Sequence, residues 1–462
     1  MLDIKLLRDD PERIAANLRA RNVSVFEDLS PSGDGWAAAT VERLVALDRR
    51  YRELLTEQEH VRAELNDNAQ SMKTLGKAKP EEGVSAEAFK AQQQAQRETL
   101  ITRGRGLRSR DKALLAQAEA AQHERDGAWA RVPNLTHPDV PTGHTDDDHA
   151  VISTWGKPRD FAAEGFAPKD HLEIAEALDL IDFAAGAKVA GNKFYYLKHE
   201  AVRLDLALQL YALGIAQKHG FVLHTTPDLA RSSILEGLGF NPRGESTQVY
   251  SVAESDLCLV GTAEITLGGM LADTVADPED LPRLTAGLSH CFRTEAGAAG
   301  QESKGLYRVH QFTKVELFAF TEGDLAVSES MHARFLAIEE EIFQGLGLPY
   351  RVLDIASGDL GGPAYRKYDI EVWMPGRGTW GEVTSTSNCT DYQARRLKIR
   401  HRTVTPEGKK GKNRHCHMLN GTAIANSRAI VALLERYQQA DGSVLVPEVL
   451  QSVVGTDRIG PR

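Results

Sequence analysis

Cysteine is scarce in this chain. Cys258, Cys291, Cys389 and Cys416 are the only four in 462 residues, and no two stand at C-x-x-C spacing. That pattern excludes a disulfide framework and a paired-thiolate zinc site, so the thiols are expected to be reduced. No apolar run approaches the roughly 18–20 residues that a membrane helix requires, which removes a membrane from the expected partners. The phosphate-binding loop G-x-x-x-x-G-K-[ST] is missing, since Gly408-Lys409-Lys410-Gly411-Lys412 has neither its spacing nor its hydroxyl. No charged-then-apolar leader opens the chain. Met1-Leu2-Asp3-Ile4-Lys5 runs directly into a helical pattern of acids and bases, which reads as a mature, cytoplasmic start.

What is present is ordinary for a globular protein, with 42% hydrophobic and 26% charged residues. The length exceeds what one hydrophobic core supports, and two or three domains are expected. A net charge of −10 argues against a nucleic-acid partner as long as only the sum is considered. Its distribution argues otherwise: Arg97, Arg103, Arg105, Arg108, Arg110 and Lys112 face only Glu98 and Asp111 within residues 97–112.

Leu44, Leu47, Tyr51, Leu54, Gln58, Val61 and Leu65 recur at intervals of three and four, the a/d seam of a coiled coil. The pattern breaks at the glycines and proline of residues 75–83 and resumes with Leu100, Leu107, Leu114, Ala121 and Ala128. The expectation is an antiparallel helical hairpin over about residues 44–126. Its return arm is the weaker, because the intervening positions are Gly104, Asp111, Ala118 and Arg125. Heptads by themselves also describe a self-dimerising rod or a packed bundle. The arginines along one arm favour a rod that meets a long, negatively charged partner.

Val132-Pro133-Asn134-Leu135 and the prolines and acids that follow cannot continue a helix. The expected division is therefore an N-terminal domain over 1–131, a linker over 132–150 and a second domain over 151–462. In that last domain helical stretches mix with strand-like alternation, without regular βαβ order. It is expected to be α+β on an antiparallel sheet.

The strongest local signal is Cys291-Phe292-Arg293-Thr294-Glu295, then the loop Ala296-Gly297-Ala298-Ala299-Gly300, then a second strand from Gly305 to Phe318. A period of two puts Arg308, His310, Phe312, Lys314, Glu316 and Phe318 on one face. An amphipathic strand with a solvated side accounts for the charges but has little use for two phenylalanines among them. A ligand with a flat heterocycle and phosphates uses all of these: Phe312 to stack, Arg293 and Arg308 to grip phosphate, and a carboxylate for an exocyclic amine. ATP fits that description.

These two strands resemble motif 2 of the class II aminoacyl-tRNA synthetases, in the form found in the seryl branch. Gly220-Phe221 through Pro227 resembles motif 1, whose proline lies at the homodimer interface in that family, and Asn420-Gly421-Thr422-Ala423 through Arg428 resembles motif 3. Gly261-Thr262-Ala263-Glu264 resembles the seryl T-A-E loop. Glu382-Val383-Thr384-Ser385-Thr386-Ser387-Asn388-Cys389 resembles the strand that holds metal and ATP. The five motifs occur in family order, and the resemblance spans essentially the whole chain.

The resemblance implies ATP, serine and magnesium as ligands and serine tRNA as partner, with selenocysteine tRNA a further candidate and DNA not a partner. It places Arg293, Thr294, Glu295, Val309, Phe312, Glu382, Val383, Thr384, Ser385 and Arg428 at ATP. Among these, Arg293 contacts the α-phosphate, Glu295 the adenine amino group and Phe312 the adenine face, while Arg428, together with Arg308, holds the distal phosphates. Arg293, Arg308 and Arg428 are the catalytic set. Glu382 and Ser385 are the magnesium pair, hard oxygen ligands suited to that ion. They stand three apart, so period two sends them to opposite faces unless a bulge intervenes. Thr262, Ala263, Glu264, Glu316, Asn420 and Thr422 are the serine positions, and Arg97, Arg103, Arg105, Arg108 and Arg110 grip the tRNA.

Two departures stand out. Gly261 replaces the usual proline, and Ala425-Asn426-Ser427 stands where a glycine normally precedes the motif 3 arginine; the Gly261 form and the Asn420-Gly421-Thr422-Ala423 run resemble the mitochondrial-type branch. A relative that charges a carrier protein, or one retained as a regulatory binder, is expected to lack the hairpin or a motif arginine, and this chain keeps both. A zinc reading of Arg414-His415-Cys416-His417 with His401 finds no second ligand pair at zinc spacing.

Overall fold

A computed structural model describes every residue except 34, 81, 242–246, 296–303, 406, 407, 410 and 462. The glycine-bearing loop Ala296–Gly300 and Lys410 therefore lie outside the described residues. The chain divides into two compact units. One comprises 3–19 and 23–132; the other comprises 133–462 together with 1–2 and 20–22.

The first unit is dominated by two helices, α1 (Trp36–Leu75) and α2 (Ala86–Trp129). At about 1.5 Å per residue these are rods of about 60 Å or more. The weak-looking positions of the return arm turn out to be the seam. Gly104, Ala118 and Arg125 are buried beside Leu107, Leu114 and Ala121. Gly104 is small so that Asn68 can cross: a Cβ there would stand 2.9 Å from Asn68 Nδ2, which donates to Leu100 O at 3.1 Å. Asp111 accepts from Gln58 Nε2 and Arg62 Nε, both at 3.1 Å. Arg125 lies over the Tyr51 ring at 4.2 Å and 3.5 Å from the buried Asp48, which Arg8 and Arg52 also hold. Counting large apolar residues misses such layers, because a polar group at a seam is tolerated once its partner sits opposite. The heptad seam is thus satisfied within one chain.

The second unit is built on eight strands: β1 (Ala150–Trp155), β2 (Val222–Thr225), β3 (Arg283–Phe292), β4 (Gln311–Thr321), β5 (Tyr350–Asp354), β6 (Arg366–Met374), β7 (Thr379–Asn388) and β8 (His417–Ala425). Their order across the sheet is β1-β5-β6-β7-β8-β4-β3-β2. Every neighbouring pair is antiparallel except β2 with β3 at the edge, which is parallel. Five helices matter for the site: α3 (His171–Ala177), α4 (Glu200–Lys218), α5 (Ala263–Gly269), α6 (Leu325–Gly345) and α7 (Asn426–Tyr437). The main core joins α4, α6 and α7 to one sheet face through Val315, Leu317, Ala319, Val372, Ile424, Phe335, Ile342 and Ile430. A smaller cluster packs α5 against Phe318 and Phe320 at the far end of the other face. Between that cluster and the strand ends, the second face stays open as a cleft.

The proline-rich segment after residue 132 hydrogen-bonds along this unit. Asn134 donates its backbone N–H to Gly362 O at 2.8 Å and its side-chain amide to Pro363 O and Cys389 O at 2.9 Å. Pro141 O accepts from Ser357 N–H at 2.8 Å.

Candidate active site

The cleft is a cavity of about 570 Å³ on the open face of β4, β7 and β8. The central strand explains why its side chains meet there. From Phe312 onward β4 alternates strictly, so Phe312, Lys314 and Glu316 face the cavity while Val315 and Leu317 enter the core. Phe318 shares their face but is fully buried against α5, beyond the end of the cavity. The strand starts later than the alternation suggests. Residues 305–310 form turns, leaving Arg308 and His310 outside it. Leu306, Tyr307 and Val309 are all buried, and three apolar side chains within four residues cannot be served by one face of a strand.

Arg293 closes one side. Its guanidinium donates to Gly261 O at 3.3–3.4 Å and stands 5.2 Å from the Phe312 ring centroid. Its backbone N–H donates to His310 O at 3.0 Å, while His310 Nδ1 lies 2.8 Å from Arg293 O and 2.9 Å from the Tyr250 hydroxyl. His310 therefore supports the arginine from behind, a role that strand periodicity does not reveal. Arg308 stands 3.6 Å from Glu295 at the same end. Thr294 does not line the cavity; its hydroxyl donates to Thr247 O at 2.6 Å and so ties the strand end to its neighbour.

The opposite wall carries Glu382 and Arg428. Arg428 Nη1 donates to Glu382 O at 3.1 Å and lies 2.9 Å from Glu382 Oε2, with its guanidinium 4.7 Å from the Tyr307 ring centroid. Burial opposes charge on Glu382, but Arg428 and Lys367 prevail and lower its pKa to about 2. The β6–β7 register shifts by one residue between Thr384 and Glu382. That bulge brings Glu382 and Ser385, three apart in sequence, onto the cavity face, and Val383 and Thr384 between them also contribute to the lining. An ionised carboxylate and a hydroxyl on one wall form a donor set that fits a hard divalent cation. Lys367, also in the lining, donates to Asp369 Oδ2 at 2.8 Å. Burial first, then Glu382, raises Asp369 to about 7 against the lysine's pull.

At the deep end Glu316 pairs with Lys314 and accepts from the Thr422 hydroxyl at 3.3 Å. Lys314 Nζ also donates to Thr422 Oγ1 at 3.2 Å. Nothing in the spacing of the sequence distinguished Lys314 as the counter-charge. Beside this pair, Glu264 accepts from Gln393 Nε2 at 2.7 Å and Asn420 Nδ2 at 3.1 Å. Its pKa is pushed up to about 7, by burial first and then by Glu316. Thr262 caps α5 and lines the cavity. Ala263 is fully buried behind it and does not. Asn420 and Thr422 reach in from β8 on either side of Gly421.

The cavity thus has a cationic, aromatic mouth and a narrow end lined with carboxylates and hydroxyls. The mouth suits a nucleotide with phosphates, and the narrow end suits a small zwitterion that carries a hydroxyl. Two of the three histidines in the zinc reading, His401 and His417, are engaged elsewhere. His401 Nε2 accepts from Gly323 N–H at 2.9 Å, and His417 Nδ1 bonds the Ser328 hydroxyl at 2.8 Å.

Comparison with known proteins gives two family matches. Residues 248–437 match the family described as tRNA synthetase class II core domain (G, H, P, S and T), and residues 1–136 match Seryl-tRNA synthetase N-terminal domain. The Serine–tRNA ligase of Treponema denticola is 48% identical over 465 residues, covering 100% of both chains. That of Rubrobacter xylanophilus is also 48% identical, over 100% of this chain and 99% of its own. A crystal structure of seryl-tRNA synthetase from Pyrococcus horikoshii complexed with ATP superimposes with a TM-score of 0.86 at 39% identity, covering 100% of each chain.

Proposed function

The chain belongs to the seryl-tRNA synthetases, and from that membership we propose how its cavity divides the work between nucleotide, metal and amino acid. The reaction is that of a serine–tRNA ligase: serine is activated with ATP to seryl-adenylate and then transferred to serine tRNA. ATP occupies the mouth, where Phe312 stacks on adenine, Glu295 accepts from its amino group and Val309 backs the pocket. Arg293 takes the α-phosphate, and Arg308 and Arg428 take the distal ones. Serine occupies the narrow end, its ammonium near Glu264 and its hydroxyl near Glu316, with Thr262, Asn420 and Thr422 around it. The observation that carries this reading is the joining of those two chemistries in one cavity along β4.

No side chain need become covalently attached. The serine carboxylate attacks the α-phosphorus in line and pyrophosphate leaves, so catalysis rests on alignment and on neutralising charge at the transferring group. Glu382 and Ser385 would hold magnesium, which supplies further positive charge at the phosphates. The Glu382–Arg428 pair keeps that carboxylate ionised across the physiological range.

Serine-dependent ATP–pyrophosphate exchange, with alanine, threonine and cysteine as competitors, tests the assignment. Glu316→Ala is expected to raise the serine KM by about 100-fold or more while the ATP KM moves by less than about threefold. The truncation leaves buried Lys314 without its counter-charge at the serine end and touches nothing at the mouth. An unchanged serine KM at saturating ATP would remove Glu316 from the amino-acid site.

A pH dependence follows from Glu264. Its carboxyl is neutral below about 7 and ionised above it, and only the ionised form pairs well with an ammonium. The serine KM is therefore expected to fall by up to about tenfold as pH rises from about 6 to about 8, and Glu264→Gln should abolish that slope. A flat wild-type profile would place the ammonium elsewhere.

The chain acts as a homodimer through motif 1 in this reading. Supporting it, the edge strand β2 leaves Val222 and Leu223 61% and 38% exposed, and α4 presents Val202, Leu206 and Leu210 outward at four-residue spacing. No helix among the described residues is long and apolar enough to cross a membrane. The four cysteines are free and buried, which suits the reducing cytoplasm.

A further inference from the structure

One buried polar pair lies outside every role given above. His171, at the start of α3, is 3% exposed, and Glu435 of α7 is fully buried; His171 Nδ1 stands 3.2 Å from Glu435 Oε1. The same oxygen accepts the His171 backbone N–H at 3.2 Å, and Oε2 accepts Gly376 N–H at 2.9 Å. On the other side of the ring, Leu306 N–H donates to Nε2 at 3.3 Å. A ring that accepts at Nε2 and faces a carboxylate at Nδ1 carries its proton on Nδ1, so both contacts fix one tautomer.

Leu306 belongs to the limb that returns from the motif 2 loop into β4. Its neighbour Gly305 has φ +64°, and a Cβ there would stand 2.1 Å from His171 Nε2, so the limb approaches the ring as closely as only glycine allows. Immediately after Leu306, the Tyr307 hydroxyl donates to Glu382 O at 3.0 Å while its ring lies under Arg428, and Arg308 comes next. We propose that the His171–Glu435 pair is a latch. It positions the return limb of motif 2 against α7 and so sets Tyr307, Arg308 and the Arg428–Glu382 pair for ATP. His171 and Glu435 are positioning residues, because neither lines the cavity. The inference rests on the ATP reading of the mouth.

The test is pyrophosphate exchange with ATP and serine titrated separately. His171→Leu removes the acceptor at Nε2 and the donor at Nδ1. It is expected to raise the ATP KM about tenfold, lower kcat, and leave the serine KM within about twofold, since the serine end stands on β4, β8 and α5. His171→Gln, which returns an acceptor to the same place, should recover most of the ATP KM. Gly305→Ala, which displaces the limb without opening the core between α3 and α7, should reproduce the His171→Leu signature even if the leucine variant does not fold. A wild-type ATP KM in Gly305→Ala, or equal rises in ATP and serine KM in His171→Leu, would overturn the latch while leaving the ATP site standing. A wild-type enzyme without serine-dependent exchange would overturn both.

Discussion

Arg428→Ala is expected to lower seryl-adenylate formation by about 10³-fold or more, with Arg293→Ala of similar size, because each removes a fixed positive charge from a phosphate on which charge develops. The two variants should differ in a second respect. Arg293 is held by Gly261 O and packs on Phe312, so its loss leaves the opposite wall intact. Arg428 is also the principal partner of Glu382, whose low pKa of about 2 depends first on that guanidinium among the groups that lower it. Arg428→Ala should therefore move the acid limb of the pH–rate profile upward as well as depress the rate, and Arg293→Ala, whose guanidinium is the last of the groups that lower Glu382, should move it less. Arg428→Lys keeps the charge but loses the planar guanidinium, whose Nη1 reaches both the carbonyl and the carboxylate of Glu382 while Nη2, without a hydrogen-bond partner among the described residues, is left for a phosphate, and should recover only part of the activity. Pyrophosphate exchange across pH decides this. Near-wild-type exchange in either alanine variant would remove the corresponding motif from the site.

The second large effect concerns the hairpin. Replacing residues 40–130 by a short linker should leave serine activation in place and abolish charging of serine tRNA, since every described residue that lines the cavity belongs to the second unit. The five arginines do not form one face. At 100° per residue Arg103 and Arg110 fall on one flank of α2, where they pair with Glu64 at 3.5 Å and Glu57 at 2.6 Å on α1. Arg97, Arg105 and Arg108 lie toward the other flank and make no ion pair among the described residues, so they are the better placed to meet phosphate. Changing those three to alanine should flatten the salt dependence of tRNA binding by about three units of log–log slope, whereas Arg103 and Arg110 should contribute less. Serine activation should be unaffected in all of them. Full-rate charging by the hairpin-deleted enzyme would make the hairpin a structural rod only.

How far the sequence reached is clearest along β4. Period two from Phe312 to Glu316 was readable without coordinates because one face of that strand is core and the other is site, and nothing local competes with alternation. The same rule failed at Arg308 and His310, where three apolar side chains had to be buried at once and the chain turned instead. The bulge that gathers Glu382 and Ser385 could be required from their spacing, but not located. The return arm of the hairpin gave the weaker signal because a glycine, an aspartate and an arginine look wrong for a seam until Asn68, Gln58 and Asp48 are seen across from them.

By itself, then, the sequence determined the order of the motifs and the residue types at each end of the cavity, because backbone periodicity and short motifs are local properties that survive without knowledge of neighbours. Only the tertiary structure decided that Lys314 neutralises Glu316, that Glu264 and Asp369 titrate near neutrality, that Thr294 and Ala263 stand behind the wall instead of on it, and that His171 meets Leu306. Each of those depends on groups brought together from separate elements, or on burial that only packing sets, and charge and hydrogen bonding inside a protein are governed by such neighbours far more than by a residue's place in the chain.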